Sequence, residues 1–259
     1  MSKQKVAVAG ATGRLGRHIV DVLIERGHEV VRMSRATGVD IVAGGAPLAD
    51  ALTDVDVIVD AASWPVSEER AATEFFRVSA RNLHEAGRRA GVARIAVASI
   101  IGVDRTTGGF GAAKKVHEQV HMAEGLPVRV LRAAQFHEFV GQLLDWQRGD
   151  VAYIPNWPSQ LVAARTAAQA LVDLALDSDG PAGAVPGAPF PEIAGPRREI
   201  LSDAAALLGA RRGVKVVGVD NPGLPGTDDI AEDALLPGPH ARLAGPTFQE
   251  WLDGGDASA

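Results

Sequence analysis

Along the chain, short solid apolar runs alternate with longer stretches in which apolar residues recur every three or four positions. The solid runs are Lys5 to Ala9, Val30 to Met33, Val39 to Val42, Val55 to Asp60, Arg94 to Ser99 and Pro127 to Arg132, and each predicts a strand. The periodic stretches predict helices from Ile19 to Ile24, from Leu48, from Glu68 to Gly91 and from Gly111 to Glu124. Strands without polar alternation are buried on both faces, so the sheet should be parallel with helices on either side. The expected fold is therefore α/β: a doubly wound, Rossmann-like parallel sheet.

After Phe136 the pattern loosens. Trp146 to Trp157 mixes aromatic residues with prolines. A helix is predicted from Ala163 to Leu176, another from Glu199 to Arg211, and a strand from Val214 to Val219. Pro181 to Pro196 and Asn221 to Gly245 are rich in glycine and proline and read as loops, the first with one short strand. This gives a dinucleotide-binding core over residues 1–140, a smaller substrate-facing lobe and lid over 141–253 interleaved with it, and a frayed tail over 254–259.

The chemistry starts at Gly10-Ala11-Thr12-Gly13-Arg14-Leu15-Gly16, between the first strand and first helix. Three glycines at this strand-to-helix turn aim backbone N–H groups and a helix dipole at one place, which suits a pyrophosphate. Gly10 makes the turn, Gly13 lets phosphates approach, and Gly16 lets helix and strand pack closely. Thr12, Arg14 and Leu15 complete the cofactor loop. The second strand ends Met33-Ser34-Arg35, with no carboxylate before Asp40. An acid there would bind a ribose 2′-hydroxyl, whereas an arginine accommodates a 2′-phosphate. Ser34 and Arg35, joined by Arg14, therefore point to NADP(H) over NAD(H). Ala61, Ala62 and Ser63 follow the fourth run, and Ala134, Gln135 and Phe136 follow the sixth. Both segments are expected along the cofactor.

Composition narrows the field. The 259 residues are 46% apolar and 22% charged, as in an ordinary globular protein. No apolar stretch of about 18 residues predicts a membrane span. The first strand begins almost at once, leaving no room for a signal peptide, and the cytoplasm is the expected compartment. With no cysteine, thiolate catalysis and disulfides are excluded. The net charge of −6, from 26 basic and 32 acidic residues, includes no basic tract that would suit nucleic acid. The expected partner is a small-molecule substrate, with the chain a monomer or homodimer. No metal site is expected: Asp54, Asp56 and Asp60 alternate along a strand and its approach, and no histidine joins them in sequence.

The glycine loop, Asp60-Ala61-Ala62-Ser63, Ala98-Ser99-Ile100-Ile101-Gly102-Val103, Lys114 with Glu118, and Leu131 to Phe139 together resemble the NmrA-like atypical branch of the short-chain dehydrogenase/reductase superfamily. Leu235 to Pro239, Ala241 to Leu243 and Phe248 to Leu252 are similar to its actinobacterial members. The resemblance spans nearly the whole chain. It implies a nicotinamide cofactor at the C-terminal edge of the sheet and a substrate pocket under the C-terminal lobe. It also implies a serine that orients the substrate oxygen (Ser99), a lysine that holds the nicotinamide ribose (Lys114), and a tyrosine acid four residues before that lysine.

That tyrosine is Phe110 here, and the alternative register places Gly111 before Lys115. Phenylalanine has no proton to give. His137, just after the last core strand, is the candidate replacement; Tyr153 and His117 are alternatives, though a solvated helix histidine is the simpler reading of His117. Trp64 is a candidate pocket wall, and Phe139, Trp146 and Trp157 a candidate aromatic substrate surface. The expected activity is NADPH-dependent hydride transfer to a quinone-like, aromatic or polyketide-type molecule, with room for a flavin in the substrate pocket. The alternatives are a non-catalytic NADP(H) sensor and a tailoring enzyme of oxygenase or isomerase type.

Overall fold

The computed structural model describes residues 3–64, 68–147, 149–178, 189–220 and 233–255. β1 (Lys5–Ala9) leads through the glycine loop into α1 (Arg14–Glu25), then β2 (Glu29–Met33), α2 (Gly45–Ala51), β3 (Val57–Asp60), α3 (Glu69–Ala90), β4 (Arg94–Ile100), α4 (Gly109–Ala123) and β5 (Val128–Ala133). α5 (His137–Asp145), β6 (Val151–Pro155), β7 (Pro158–Ser159), α6 (Ala164–Leu176), β8 (Glu192–Ala194), β9 (Glu199–Ile200), α7 (Leu201–Arg212), β10 (Lys215–Val219), β11 (Arg242–Leu243) and α8 (Phe248–Asp253) follow. Seven strands form one parallel sheet in the order β11-β8-β5-β4-β3-β1-β2. The chain reverses its direction of winding between β1 and β3, where α/β sheets open a crevice for ligands.

Strand alternation divides the core in two. Val6, Val8, Val57, Val59 and Ala96 face α1 and α6. Ala7, Ala9, Ile58, Ile95 and Val97 face the side of α2 and α3. α1 offers Leu15, Ile19, Val22 and Leu23 along one stripe, at the spacing a buried helix face requires. Each fully buried aliphatic or aromatic side chain contributes about 1.5–3 kcal/mol.

A third apolar cluster lies in the C-terminal part. Val140, Leu143 and Leu144 of α5 meet Ile154 of β6, Leu201 and Leu208 of α7, and Phe248 and Trp251 of α8. β6 and β10 pair in parallel beside it, and β7 and β9 pair antiparallel. Not everything after residue 140 stays in this lobe: α6, β8 and β11 return to the main sheet and its helix layer. α6 is held at both ends by side chains from other elements. The Glu138 carboxylate accepts from Ala164 N at 3.1 Å, while Arg94 Nε and Arg129 Nη1 donate to Ala175 O and Leu174 O at 2.7 and 2.8 Å. An acid at the positive helix end and arginines at the negative end complement the dipole.

Two expectations need correction. Val39 to Val42 is a turn, not a strand. Asp40 Oδ1 accepts from Val42 N at 2.8 Å, and Asn82 Nδ2 of α3 donates to the carbonyls of Ile41 and Val42, so these backbone groups are satisfied without a ladder. The stretch after Phe136 is more ordered than its sequence suggests, with α5, β6 and β7 inside it. Residues 181–188 of the Pro181 to Pro196 loop, 221–232 of the Asn221 to Gly245 loop and 256–259 of the tail fall outside the described residues; β8 is the short strand expected in the first, and the two-residue β11 lies in the second.

The glycine loop brings backbone into close approach in the core. Gly10 has φ +73°, and a Cβ on it would lie 2.8 Å from Ala61 O and Ala62 Cα. A Cβ on Gly16 would sit 2.0 Å from Gly10 O. Gly16→Ala should therefore force α1 away from β1 and cost about 1–3 kcal/mol, as overpacked sites do. Urea unfolding of the variant against the parent checks this, and an unchanged midpoint would contradict the close contact.

Candidate functional site

The carboxyl ends of β1, β3, β4 and β5 open on the same edge, because the strands are parallel. Gly10, Ala61 to Ser63, Ser99 and Ala134 to Phe136 all stand at these ends. At β1 the loop is cross-tied by Gly10 N and Ala11 N to Met33 O and by Gly13 N to Gly10 O. Gly13 is the N-cap of α1 with no capping side chain, and the first turn has no acid. Thr12, Gly13 and Arg14 are exposed, whereas Leu15 and Gly16 are buried under the loop. Free N–H groups at an uncapped helix start, beside a glycine where a side chain would intrude, fit a pyrophosphate.

Arg14 does not join Arg35. Its Nη1 donates to Gln142 Oε1 of α5 at 2.7 Å, within the field of Glu138 and Asp145. Ser34 caps the short turn Arg35–Thr37, and Arg35 is exposed at the end of β2. Asp40, the nearest following carboxylate, is occupied by its own turn.

Ser99 is buried at the end of β4, and its Oγ has no hydrogen-bond partner among the described residues. Lys114 comes up beside it from α4, where Nζ donates to Ala98 O at 2.7 Å and to His117 Nδ1 at 2.9 Å. The ammonium also lies 4.7 Å from the centre of the Phe76 ring. Burial lowers the Lys114 pKa to about 8, opposed by the charges of Asp60 and Glu118. Phe110, one turn earlier, packs edge-on against Phe76 at 5.9 Å, in an apolar group with Trp64, Phe75, Ala72 and Ala113. Trp64 Nε1 is buried without a partner among the described residues.

His137 stands elsewhere. It is fully buried in the lobe, with Nε2 3.1 Å from Leu161 O and its ring between Phe248 and Trp251 at 5.4 and 5.3 Å. Burial lowers its pKa to about 4. In this arrangement it packs the lobe. Gln135 also turns to the lobe, its Oε1 accepting from Ser159 Oγ at 2.7 Å. Phe136 packs against the α1–α6 side of the core. Tyr153 is 57% exposed on β6. Of the three proposed aromatic substrate residues, Phe139 and Trp157 pack on the lobe core, and Trp146, 56% exposed at the end of α5, meets Phe139 edge-on at 6.1 Å.

Two histidines do join Asp60, which corrects both that expectation and the reading of His117 as solvated. Asp60 ends β3 at 0% exposure. Its Oδ1 accepts from Ala62 N at 2.9 Å, and its Oδ2 lies 3.1 Å from Nε2 of both His117 and His121. His121 Nδ1 meets His84 Nε2 of α3 at 3.1 Å, and Leu126 N donates to His84 Nδ1 at 3.3 Å. These donors hold the Asp60 carboxyl far below the usual carboxylate range against its burial. Burial and the neighbouring Lys114 hold His117 down to about 3. The i, i+4 spacing of His117 and His121 was visible in sequence; their pairing with Asp60 and His84 was not. Arg132 of β5 grips Glu118 of α4 through Nε and Nη2 at 3.0 and 2.9 Å and reaches Asp104 through Nη1 at 3.0 Å, which fixes α4 to the sheet.

An imidazole whose folded pKa lies below its free value of 6.5 stabilises the fold fully above pH 6.5. That contribution is lost as pH falls towards 4, because the unfolded chain then takes up a proton that the folded chain refuses. His137→Gln should therefore flatten the dependence of unfolding free energy on pH between 6.5 and 4, by up to about 1.4 kcal/mol per pH unit. Urea midpoints across that range test this; identical slopes in parent and variant would contradict it.

Comparison with known proteins agrees with this geometry. Residues 10–137 match the family model described as NAD(P)H-binding. No curated protein matches the chain in sequence. Among solved structures, MoeE5 in complex with UDP-glucose and NAD is 22% identical, with a TM-score of 0.64 over 83% of this chain and 85% of that one. UDP-N-acetylglucosamine 4-epimerase from Bacillus cereus is 19% identical, with a TM-score of 0.65 over 84% and 86%. A short-chain dehydrogenase/reductase superfamily protein from Agrobacterium tumefaciens with bound NAD is 14% identical, with a TM-score of 0.67 over 98% and 96%. The uncapped start of α1, the glycine approach and the match over residues 10–137 together identify an NAD(P)-binding Rossmann-like domain.

Proposed function

We propose that the chain is an NADP(H)-dependent oxidoreductase that passes hydride to an electron-poor small molecule of quinone-like, aromatic or polyketide type. The observation that carries this reading is Phe110, at the helix position one turn before Lys114, with no other tyrosine or histidine among the described residues brought to replace a phenolic acid there. His137 is buried in the lobe and Tyr153 faces solvent. An acceptor ring that draws the hydride without prior protonation suits such a site, and water can complete the protonation.

The residues present fit the dinucleotide. Gly10, Gly13 and the N-terminus of α1 would hold the pyrophosphate, and Ser34 with Arg35 would face the adenosine ribose. The bound nicotinamide would supply the hydride. Two of the three N–H groups of Lys114 are taken by Ala98 O and His117 Nδ1, which leaves one for a ribose hydroxyl. The Ser99 hydroxyl, buried and unpartnered among the described residues, would donate to the substrate oxygen. The exposed Arg35, the lack of a carboxylate ending β2, and the engagement of Asp40 in its own turn support NADP(H).

A second reading takes a sugar nucleotide as the substrate. It is favoured by the fold shared with MoeE5 and with the Bacillus cereus epimerase, whose ligand and substrate are of that kind. A third, a dinucleotide sensor, is favoured by Phe110 itself. Fluorescence titration with NADPH and NADH, followed by nicotinamide absorbance with NADPH plus quinones or ketones and with NADP+ or NAD+ plus UDP-glucose, separates the three. NADPH oxidation with quinones supports the proposal. Binding without turnover favours the sensor, and reduction of the bound nucleotide by UDP-glucose favours the sugar-nucleotide reading.

Arg35→Asp should weaken NADPH binding by about 10–100-fold and leave NADH binding within a few fold, as loss of one charged hydrogen-bonded pair does. Equal losses for both cofactors would place Arg35 outside the 2′-phosphate site. Phe110→Tyr should raise ketone reduction by about 10²-fold or more, the scale of a general acid, while quinone reduction stays unchanged. An unchanged ketone rate would show that position 110 does not face the reacting oxygen.

A further inference from the structure

The hydrogen bonds around Asp60 all run one way. Leu126 N donates to His84 Nδ1 at 3.3 Å, which leaves the proton of a neutral His84 on Nε2, facing His121 Nδ1 at 3.1 Å. His121 then carries its proton on Nε2, 3.1 Å from Asp60 Oδ2. From the other side, the Lys114 ammonium has only hydrogens to offer His117 Nδ1 at 2.9 Å. His117 therefore also carries its proton on Nε2, 3.1 Å from the same oxygen. The two Nε2 atoms are 3.0 Å apart because they share one acceptor; as two N–H donors they make no bond to each other. Two chains of donors converge on one buried carboxylate, and one of them starts at Lys114.

We propose that Asp60 and His117 are positioning residues for Lys114: the carboxylate fixes the Nε2–H tautomer of His117, and the Nδ1 lone pair left on the far side holds the ammonium charged and in one orientation. The proposal rests on the reading of Lys114 as a ligand of the dinucleotide ribose. A lysine stem is flexible and its ammonium rotates freely. Here Ala98 O and His117 Nδ1 fix the directions of two N–H groups, and the third then has one direction left. A His117 with its proton on Nδ1 would point an N–H at a group that has no lone pair to receive it.

Charge reaches Lys114 from few places. On α4 itself, Glu118 acts on it, but that carboxylate is forked by Arg132 of β5. From α3 come the Phe76 ring and, behind His121, His84. From β3 comes Asp60, whose carboxylate has no arginine or lysine bonded to it. Asp60→Asn removes this charge and keeps the shape. Ala62 N donates to Oδ1 at 2.9 Å, so the new amide keeps its oxygen there and turns Nδ2 to the histidines. A donor at that place takes the lone pair of His117 Nε2 and sends the ring proton to Nδ1, against Lys114.

The test uses the full chain with 15N-histidine and 13C-lysine, followed by NMR over a pH series without cofactor. The chain has five lysines, and Lys114→Arg identifies the Lys114 signal. In the parent, His117 should show the Nε2–H tautomer and Lys114 a midpoint near 8. In Asp60→Asn, His117 should show the Nδ1–H tautomer, and the Lys114 midpoint should fall by about one unit or more. His117→Leu should lower it similarly, and His117→Asn, which restores an acceptor oxygen, should bring it back to within about half a unit of the parent. His121→Gln disturbs the same carboxylate without touching Lys114, so it should cost stability and leave the Lys114 midpoint in place. Circular dichroism checks that each variant is folded. An Nδ1–H tautomer in the parent, or equal Lys114 midpoints in the parent and Asp60→Asn, would overturn the proposal. So would an equal fall in His121→Gln, which would mark a general loosening. NADPH affinity is a separate readout: at pH 8 it should be about fivefold weaker in Asp60→Asn, because fewer chains carry the ammonium. A lowered Lys114 midpoint with unchanged affinity would uphold the Asp60–His117 hold on Lys114 and refute its place on the dinucleotide.

Discussion

A carboxylate without solvent must be met by donors, and Asp60 organises one side of this molecule for that reason. It ends β3 at the edge where the sheet opens, fully buried, and the nearest backbone supplies one donor through Ala62. The remaining donors come from α4, as His117 and His121. Removing either partner would leave a buried charge short of a donor, a loss of the order of 3–5 kcal/mol. This requirement fixes the rotation of α4 about its axis. Once His117 and His121 point at Asp60, Lys114 is carried to the end of β4 and Phe110 to the apolar wall formed with Phe76 and Trp64. Arg132, forked onto Glu118 from β5, holds the same helix from its other side.

The cofactor edge and the Asp60 network are thus one assembly. The glycine loop contributes shape, since β1, α1 and the turn after β3 meet with no room for a side chain at Gly10 or Gly16. The network contributes charge, placing a buried ammonium beside a serine hydroxyl that has no partner among the described residues. Phe110, one turn before Lys114, brings no hydroxyl to that pair. The neighbouring wall of Trp64, Phe75, Phe76 and Phe110 is apolar. The C-terminal lobe is tied to this edge by Gln135 to Ser159 and by Arg14 to Gln142, both hydrogen bonds from the sheet edge to residues beyond 140.

Much of the core was legible. Solid apolar runs gave the strands β1 to β5, and the periodic stretches gave α1, α3, α4 and α6, because burial on two faces or on one stripe leaves a mark in the order of residues. The turn at Val39 to Val42 was not legible, since its apolar composition matches a strand; the bonds from Asp40 and Asn82 decide it. α5 was missed because its nine residues are too few turns for the period to stand out. His137 lies at the sequence position expected for an active site, but the packing of Phe248 and Trp251 from more than a hundred residues later encloses it.

The sequence by itself determined the things that depend on near neighbours: strand and helix periods, the strand-to-helix glycine turn, a phenylalanine one helical turn before Lys114, and the i, i+4 spacing of two histidines. Only the tertiary structure decided what those histidines face. A side chain's partner depends on the crossing of α3, α4 and β3, which separates His84, His121 and Asp60 by dozens of residues along the chain and brings them within 3.1 Å in space. Local order records whether a residue is buried; which charge is buried beside it is fixed only when the layers pack.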